Sequence, residues 1–159
     1  MGDVPALARH ANNKKIADNL RDGFPHPYTP DDAMRFISAC LSDGEARNCL
    51  RAISINGEAA GSIGVFLKED VYAKSAELGY WLAEPYWGRG IMTQAVRDIT
   101  AHAFAVYDIV RIFAKPFAEN AASRRLLERA GFTLEGVLKQ SIYKNGRIQD
   151  SCVYALLRD

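Results

Sequence analysis

The chain has 159 residues, 25% of them charged, and a formal net charge of +1. That length predicts one domain over residues 1–159 with a proper core, and the near-neutral balance removes any global electrostatic case for nucleic acid or an acidic membrane surface. Cys40, Cys49 and Cys152 lie far apart in no metal-ligand spacing, a sparse odd count that suits reduced thiols better than a disulfide framework. No apolar run approaches the roughly 18–20 residues of a bilayer span, and the N-terminal stretch lacks the apolar core of a secretory leader. The expectation is a soluble, cytoplasmic protein with no nucleic-acid or membrane partner.

Residues 4–13 put Leu7, Ala8 and Ala11 on one face and predict a short helix. Residues 19–28 hold Pro25 and Pro27 and read as an irregular loop. Thr29-Pro30-Asp31-Asp32 is a helix start, with a hydroxyl cap, a proline at the first position and acids in the first turn. Ala33, Phe36, Ile37, Cys40 and Leu41 supply that helix's apolar face, and Gly44 follows its end. Residues 49–55 and 61–67 are strands joined across Asn56-Gly57, a favoured hairpin pair. Residues 76–82 alternate and carry aromatics, which predicts a third strand, followed by a helix as far as Tyr107. A strand over 110–115, a helix over 120–130 closed by Gly131, and strands over 132–143 and 151–157 around Asn145-Gly146 complete the chain. The sum is an α/β or α+β sheet with helices packed on it.

Trp87-Gly88-Arg89-Gly90-Ile91-Met92 lies between the third strand and a helix on which Thr93, Ala95, Val96, Ile99, Ala103 and Phe104 recur at helical spacing. A strand that turns through glycines into a helix aims several N–H groups, and the positive end of the helix dipole, at one spot suited to phosphate. A tight turn with no ligand is the plain alternative. Asn120-Ala121-Ala122-Ser123 opens a later helix, followed by Arg124 and Arg125. Either its polar residues only cap the helix, or Asn120 and Ser123 face a ligand lying between this helix and the earlier one.

The order AELGYWLAEPYWGRGIMTQA, a strand, AENAASRRLLERAGF and LEGVLKQ resembles the GCN5-related N-acetyltransferase (GNAT) superfamily, and within it the RimJ/RimL-like ribosomal-protein N-terminal acetyltransferases, over about residues 31–157. The resemblance implies the GNAT acyl-CoA N-acyltransferase fold, a mixed, mostly antiparallel sheet flanked by helices, with strands splayed around CoA. It implies acetyl-CoA as donor, a primary amine (a protein N-terminus or a small molecule) as acceptor, direct transfer in a ternary complex, and no metal. The family loop pattern Gln/Arg-x-x-Gly-x-Gly/Ala falls on Trp87, Gly90 and Met92. Gly90 matches and the outer two depart, a mild departure where main-chain N–H groups hold the pyrophosphate. The implied cofactor contacts are Gly88, Arg89, Gly90, Ile91, Met92 and Thr93 at the pyrophosphate and the strand backbone of Tyr80, Trp81 and Leu82 along the pantetheine. Asn120 matches the CoA-contacting asparagine, and Ser123 the serine that hydrogen-bonds the CoA sulfur and helps protonate the leaving thiolate. Many superfamily members use a tyrosine seven residues after the asparagine; Leu127 stands there.

An amine must lose a proton to attack, so a base or a water chain is needed. Glu77 is the catalytic candidate beside Ser123, with a salt-bridged strand residue as the alternative; Glu135 could be structural. The acid some relatives carry after the KQ dipeptide is replaced by Ser141 and Ile142. His26 is a further candidate base by residue type, though a lone histidine is more often a surface or packing residue, the reading given to His10 and His102. No cysteine needs a nucleophilic role. The resemblance assigns acceptor choice to residues 20–28 and 139–147, where Phe24 and Tyr28 either wall a slot or pack beneath the loop. Relatives usually begin with a strand before the first helix; the expectation here is that this strand is missing or supplied differently, giving either a shortened sheet or an edge covered by a second subunit, as in a homodimer. A non-catalytic acyl-CoA-binding or interaction module is the rival reading. A dinucleotide-binding domain fits worse, because Gly88-x-Gly90 lacks the third glycine and the acid about 20 residues on.

Overall fold

A computed structural model describes residues 1–159. Its helices are α1 (Val4–Ala11), α2 (Lys14–Ala17), α3 (Pro30–Asp43), α4 (Ile91–Val106) and α5 (Ala121–Arg129). Its strands are β1 (Asn48–Ile55), β2 (Glu58–Leu67), β3 (Ser75–Leu82), β4 (Arg111–Ala114), β5 (Thr133–Lys144) and β6 (Arg147–Leu157), in the sheet order β1-β2-β3-β4-β6-β5. Only the β3–β4 pair is parallel. Both Asn-Gly pairs take positive φ at both residues, the combination that matches a two-residue turn to strand twist. The hairpin strands therefore run closer to their turns than the apolar alternation implied, with β2 beginning at Glu58.

Local chemistry starts the helices where the sequence suggests. Thr29 accepts from the Asp32 N–H while the Asp32 carboxylate accepts from the Thr29 N–H, a complete capping box. The one-turn helix α2 was not visible as periodicity; Asn13 caps it by accepting from the Lys15 N–H.

Two cores lie on opposite sheet faces. On one, Val96, Ile99 and Ala103 of α4 and Leu127 of α5 pack against Val65, Leu78 and Ile112. On the other, Leu7, Ala8 and Ala11 of α1, with Ile16, Tyr28 and Ala33, cover Ala59 and Trp81. Strand alternation divides β3 between them, Ala76, Leu78 and Leu82 facing the first core and Trp81 the second.

The sheet is not continuous through its middle. β3 pairs with β2 from Ala76 to Leu82, but with β4 only through Ser75, Ala76 and Glu77. Beyond Glu77 the two parallel strands part. Within residues 1–159 β1 forms one end of the sheet. No helix is long and apolar enough to cross a membrane.

Candidate active site

A cavity of 1560 Å³ occupies the gap between β3 and β4 and reaches both faces of the sheet. The catalytic and cofactor-binding residues expected from the sequence line it: Glu77, Tyr80, Trp81 and Leu82 from β3, residues 88–93 from the glycine turn, and Asn120 and Ser123 from the start of α5.

Gly88 and Gly90 have φ of 74° and 75°, left-handed values that favour glycine. A Cβ at either would meet nothing within 4 Å, so backbone conformation rather than crowding selects glycine. Gly90 caps α4 without any side-chain acceptor, which leaves the N–H groups of Ile91, Met92 and Thr93 aimed into the cavity. The two departures from the family pattern have local causes. The Trp87 indole Nε1 donates to the Leu82 carbonyl at 2.7 Å and ties the turn to the end of β3. Met92 is buried among the α4 core residues. Arg89 lies over the Tyr86 ring, 5.6 Å from its centroid, and neither Arg89 nor Arg125, both on the cavity wall, has a carboxylate partner within 4.0 Å.

Across the gap, Asn120 caps α5: its Oδ1 accepts from the Ser123 N–H at 3.2 Å. Arg124 fixes this turn by donating to the Tyr154 hydroxyl and the Ala118 carbonyl, both at 3.1 Å. Ser123 Oγ is hydrogen-bonded to the Tyr80 hydroxyl, a contact between β3 and α5. Burial pushes the Tyr80 phenol up to about 12, against the opposing effect of that hydrogen bond. Leu127 is fully buried in the core. The Ala83 N–H donates to the Ala60 carbonyl, so by alternation the Trp81 main chain also turns toward β2 and the Tyr80 main chain toward the gap. Trp81 thus meets the cavity through its indole on the α1 side and not through its own main chain.

The opposite side of the cavity is aromatic and charged. Phe24 packs at a tilt against Tyr28, with ring centroids 5.1 Å apart, and edge-to-face against Trp81 at 5.6 Å, so the loop aromatics both pack beneath the loop and wall the space. Glu77 is 12% exposed and is bound by Arg21 and by Lys68, the latter at 2.7 Å. Burial pushes its carboxyl up, but the Lys68 hydrogen bond and the charges of Arg21, Lys68 and Lys115 outweigh this and hold it below the ordinary value. Glu77 is therefore an ion-paired anion on the cleft wall, the arrangement of a charge-holding group more than of a proton acceptor. Lys144, 8% exposed, donates to Asp22 at 2.8 Å, and Asn145 donates to Asp18 at 2.9 Å. These bonds latch the residue 20–28 loop to the final hairpin.

The other candidates fall elsewhere. Glu135 of β5 pairs with Arg111 of β4 across the intervening strand β6, a structural role. His26 is exposed and off the cavity wall. All three cysteines are free thiols outside it. Two features escaped sequence reading: the Tyr80 hydroxyl, which alternation along β3 separates from Trp81 without saying which face it serves, and the Arg21 and Lys68 partners of Glu77, for which no local signal exists.

The acetyltransferase (GNAT) domain profile matches residues 1–133. A ribosomal-protein-serine acetyltransferase of Escherichia coli (strain K12) is 37% identical over 86 residues, 54% of this chain and 48% of the relative. An uncharacterized N-acetyltransferase, YoaA of Bacillus subtilis (strain 168), is 34% identical over 101 residues, 64% of this chain and 56% of the relative. The chain thus spans about half the length of these curated relatives. Among solved structures, RimL, a ribosomal L7/L12 alpha-N-protein acetyltransferase in complex with coenzyme A, superposes with a TM-score of 0.86 at 30% identity, covering 98% of this chain and 89% of that one. With an open β3–β4 gap, a glycine turn into α4 and a profile match over most of its length, the chain belongs to the acetyltransferase (GNAT) domain family.

Proposed function

We propose that the chain is an N-acetyltransferase that moves an acetyl group from acetyl-CoA to a primary amine by direct transfer in a ternary complex. The observation that carries this is the single cavity passing through the sheet. It joins a face rich in open N–H donors to a face holding an anionic side chain, so two substrates can meet edge to edge.

The residues fit coenzyme A chemically. The N–H groups of Ile91, Met92 and Thr93 and the unpaired Arg89 and Arg125 suit a diphosphate. The free main-chain edge of β3 near Tyr80 can pair with an amide-bearing arm as a further strand would. When bound, acetyl-CoA supplies an activated acyl group whose leaving thiolate is modestly basic. Ser123 donates a hydrogen bond where that thiolate develops, and Asn120 holds the first turn of α5. Glu77, Arg21 and Lys68 set the charge around the incoming amine, and the amine's proton passes to water. A peptide N-terminus is the favoured acceptor class, because RimL and the serine acetyltransferase named above act on ribosomal proteins. Residues 1–159 act as one domain in this reading, and no metal takes part.

The test pairs titration calorimetry of CoA with thiol release from acetyl-CoA across a panel of peptide N-termini and small amines. Micromolar CoA binding with turnover on at least one acceptor is expected. Binding with no turnover on any amine favours a non-catalytic acyl-CoA-binding module, and absence of binding refutes the site.

A further inference from the structure

We infer that Tyr80 is a positioning residue for Ser123: its phenol donates to the Ser123 oxygen and turns the Ser123 proton into the gap between β3 and β4. This rests on the acetyl-transfer reading of the cavity, and deepens it by naming what orients the group at the leaving sulfur.

The geometry is specific. Tyr80 and Ser123 are 43 residues apart and stand on opposite sides of the gap, yet their hydroxyls are in hydrogen-bond contact. A helical serine or threonine ordinarily returns its proton to a carbonyl one turn back. Thr100 does so, donating to the Val96 carbonyl at 2.8 Å. Ser123 does not; its hydroxyl is engaged by Tyr80 instead. Of the two, the phenol is the stronger acid and the poorer acceptor, so it is the donor. With its oxygen accepting, the serine keeps one proton, and that proton is free to face the cavity.

The chemical consequence is polarisation. A hydroxyl that accepts a hydrogen bond becomes a stronger donor in its own right. In the transfer step the C–N bond forms, the C–S bond breaks, and the electron pair of that bond goes to sulfur. The Ser123 O–H then donates to the new thiolate, and the nitrogen's surplus proton leaves to water. Burial holds Tyr80 near 12, above an ordinary thiol at about 8.5. Full proton transfer from the pair to sulfur is therefore uphill, and the pair acts as a two-link hydrogen-bond donor, with solvent protonating the released thiolate.

The readout is the thiol pKa of bound CoA, followed by ultraviolet thiolate absorbance as a difference from the same variant without CoA. Tyr80→Phe should raise it by about half a unit to one unit, the worth of one net hydrogen bond. Ser123→Ala should raise it by about one unit or more, since the bond to the thiolate itself is charge-assisted. The double variant should match Ser123→Ala, because Tyr80 acts only through Ser123. In turnover, Tyr80→Phe should lower kcat about three- to tenfold with the CoA dissociation constant unchanged. Equal thiol pKa in wild type and Tyr80→Phe, or a double variant that adds the two shifts, overturns the inference while leaving the transfer reading intact. Wild-type protein that binds no CoA overturns both.

Discussion

Replacing Gly90 by valine separates backbone geometry from side-chain chemistry at the glycine turn before α4. Gly90 sits at φ 75° and ψ 2°, and nothing lies within 4 Å of a Cβ built there. The added side chain therefore meets no steric wall, and the whole cost is conformational: about 2 kcal/mol for a β-branched residue held in the left-handed region. For a chain of this length that lowers Tm by about 4–8 °C. The turn can relieve the strain by leaving the left-handed region, which swings the N–H groups of Ile91, Met92 and Thr93 off their common target. Losing one or two charge-assisted hydrogen bonds to phosphate at about 1.5 kcal/mol each weakens CoA about 10- to 150-fold. Gly57→Val is the matched control, with φ 81° in the β1–β2 turn, an equally open Cβ, and a place off the cavity wall. Calorimetry and thermal denaturation should give similar Tm losses for the two variants, but lost CoA affinity for Gly90→Val alone. Unchanged affinity in Gly90→Val, with the Tm loss present, would refute the turn as the phosphate site.

Gly61→Ala places a Cβ 2.4 Å from the Trp81 carbonyl oxygen, a backbone atom that cannot step aside, so chemical denaturation should register a loss of about 1–3 kcal/mol. Asp22→Asn leaves the enclosed Lys144 ammonium without its counter-ion; a loss of about 1–2 kcal/mol is expected, together with a higher acceptor KM and an unchanged acetyl-CoA KM. Asp32 is held at about 2 by the Thr29 hydroxyl and N–H bonds and by Arg35, below its ordinary 3.8. Because the folded value is the lower one, its contribution is full above 3.8 and is lost as pH falls from 3.8 toward 2. An NMR titration of Asp32 checks the value, and Asp32→Asn should flatten the stability profile in that window only.

What could be read in advance divides along a physical line. The capping box at Thr29, the Asn-Gly hairpins, Gly90 and the Asn120 cap are decided by residues within four positions of one another, and local rules reach that far. Element boundaries shifted by one to four residues, most where turn chemistry outlasted hydrophobic alternation, as at the start of β6. The one-turn helix at Lys14–Ala17 is too short to carry a period. The split of Trp81 from Tyr80 followed from alternation, but which face each would serve depended on where α1 and α5 dock.

The donor and acceptor sides differ in the same way, and this explains why one was legible and the other was not. A diphosphate cradle can be made of main chain, so a glycine at the right φ before a helix is nearly sufficient, and Trp87 and Met92 could vary once each had found other work. An acceptor subsite is made of side chains brought together from far apart. Arg21 meets Glu77 across 56 residues, Lys144 meets Asp22 across 122, and Asn145 meets Asp18 across 127. The first adds the Arg21 charge to the Lys68 hydrogen bond that holds the Glu77 carboxyl below its ordinary value, and the other two tie the segment around residues 18–22 to the final hairpin. They also recast the base problem. A carboxylate already neutralised by Arg21 and Lys68 gains little by taking a proton, but it can exchange the exposed Arg21 for an incoming ammonium without changing the local charge. Under the acetyl-transfer reading proposed above, deprotonation would fall to water, and acceptor choice would follow how readily Arg21 is displaced.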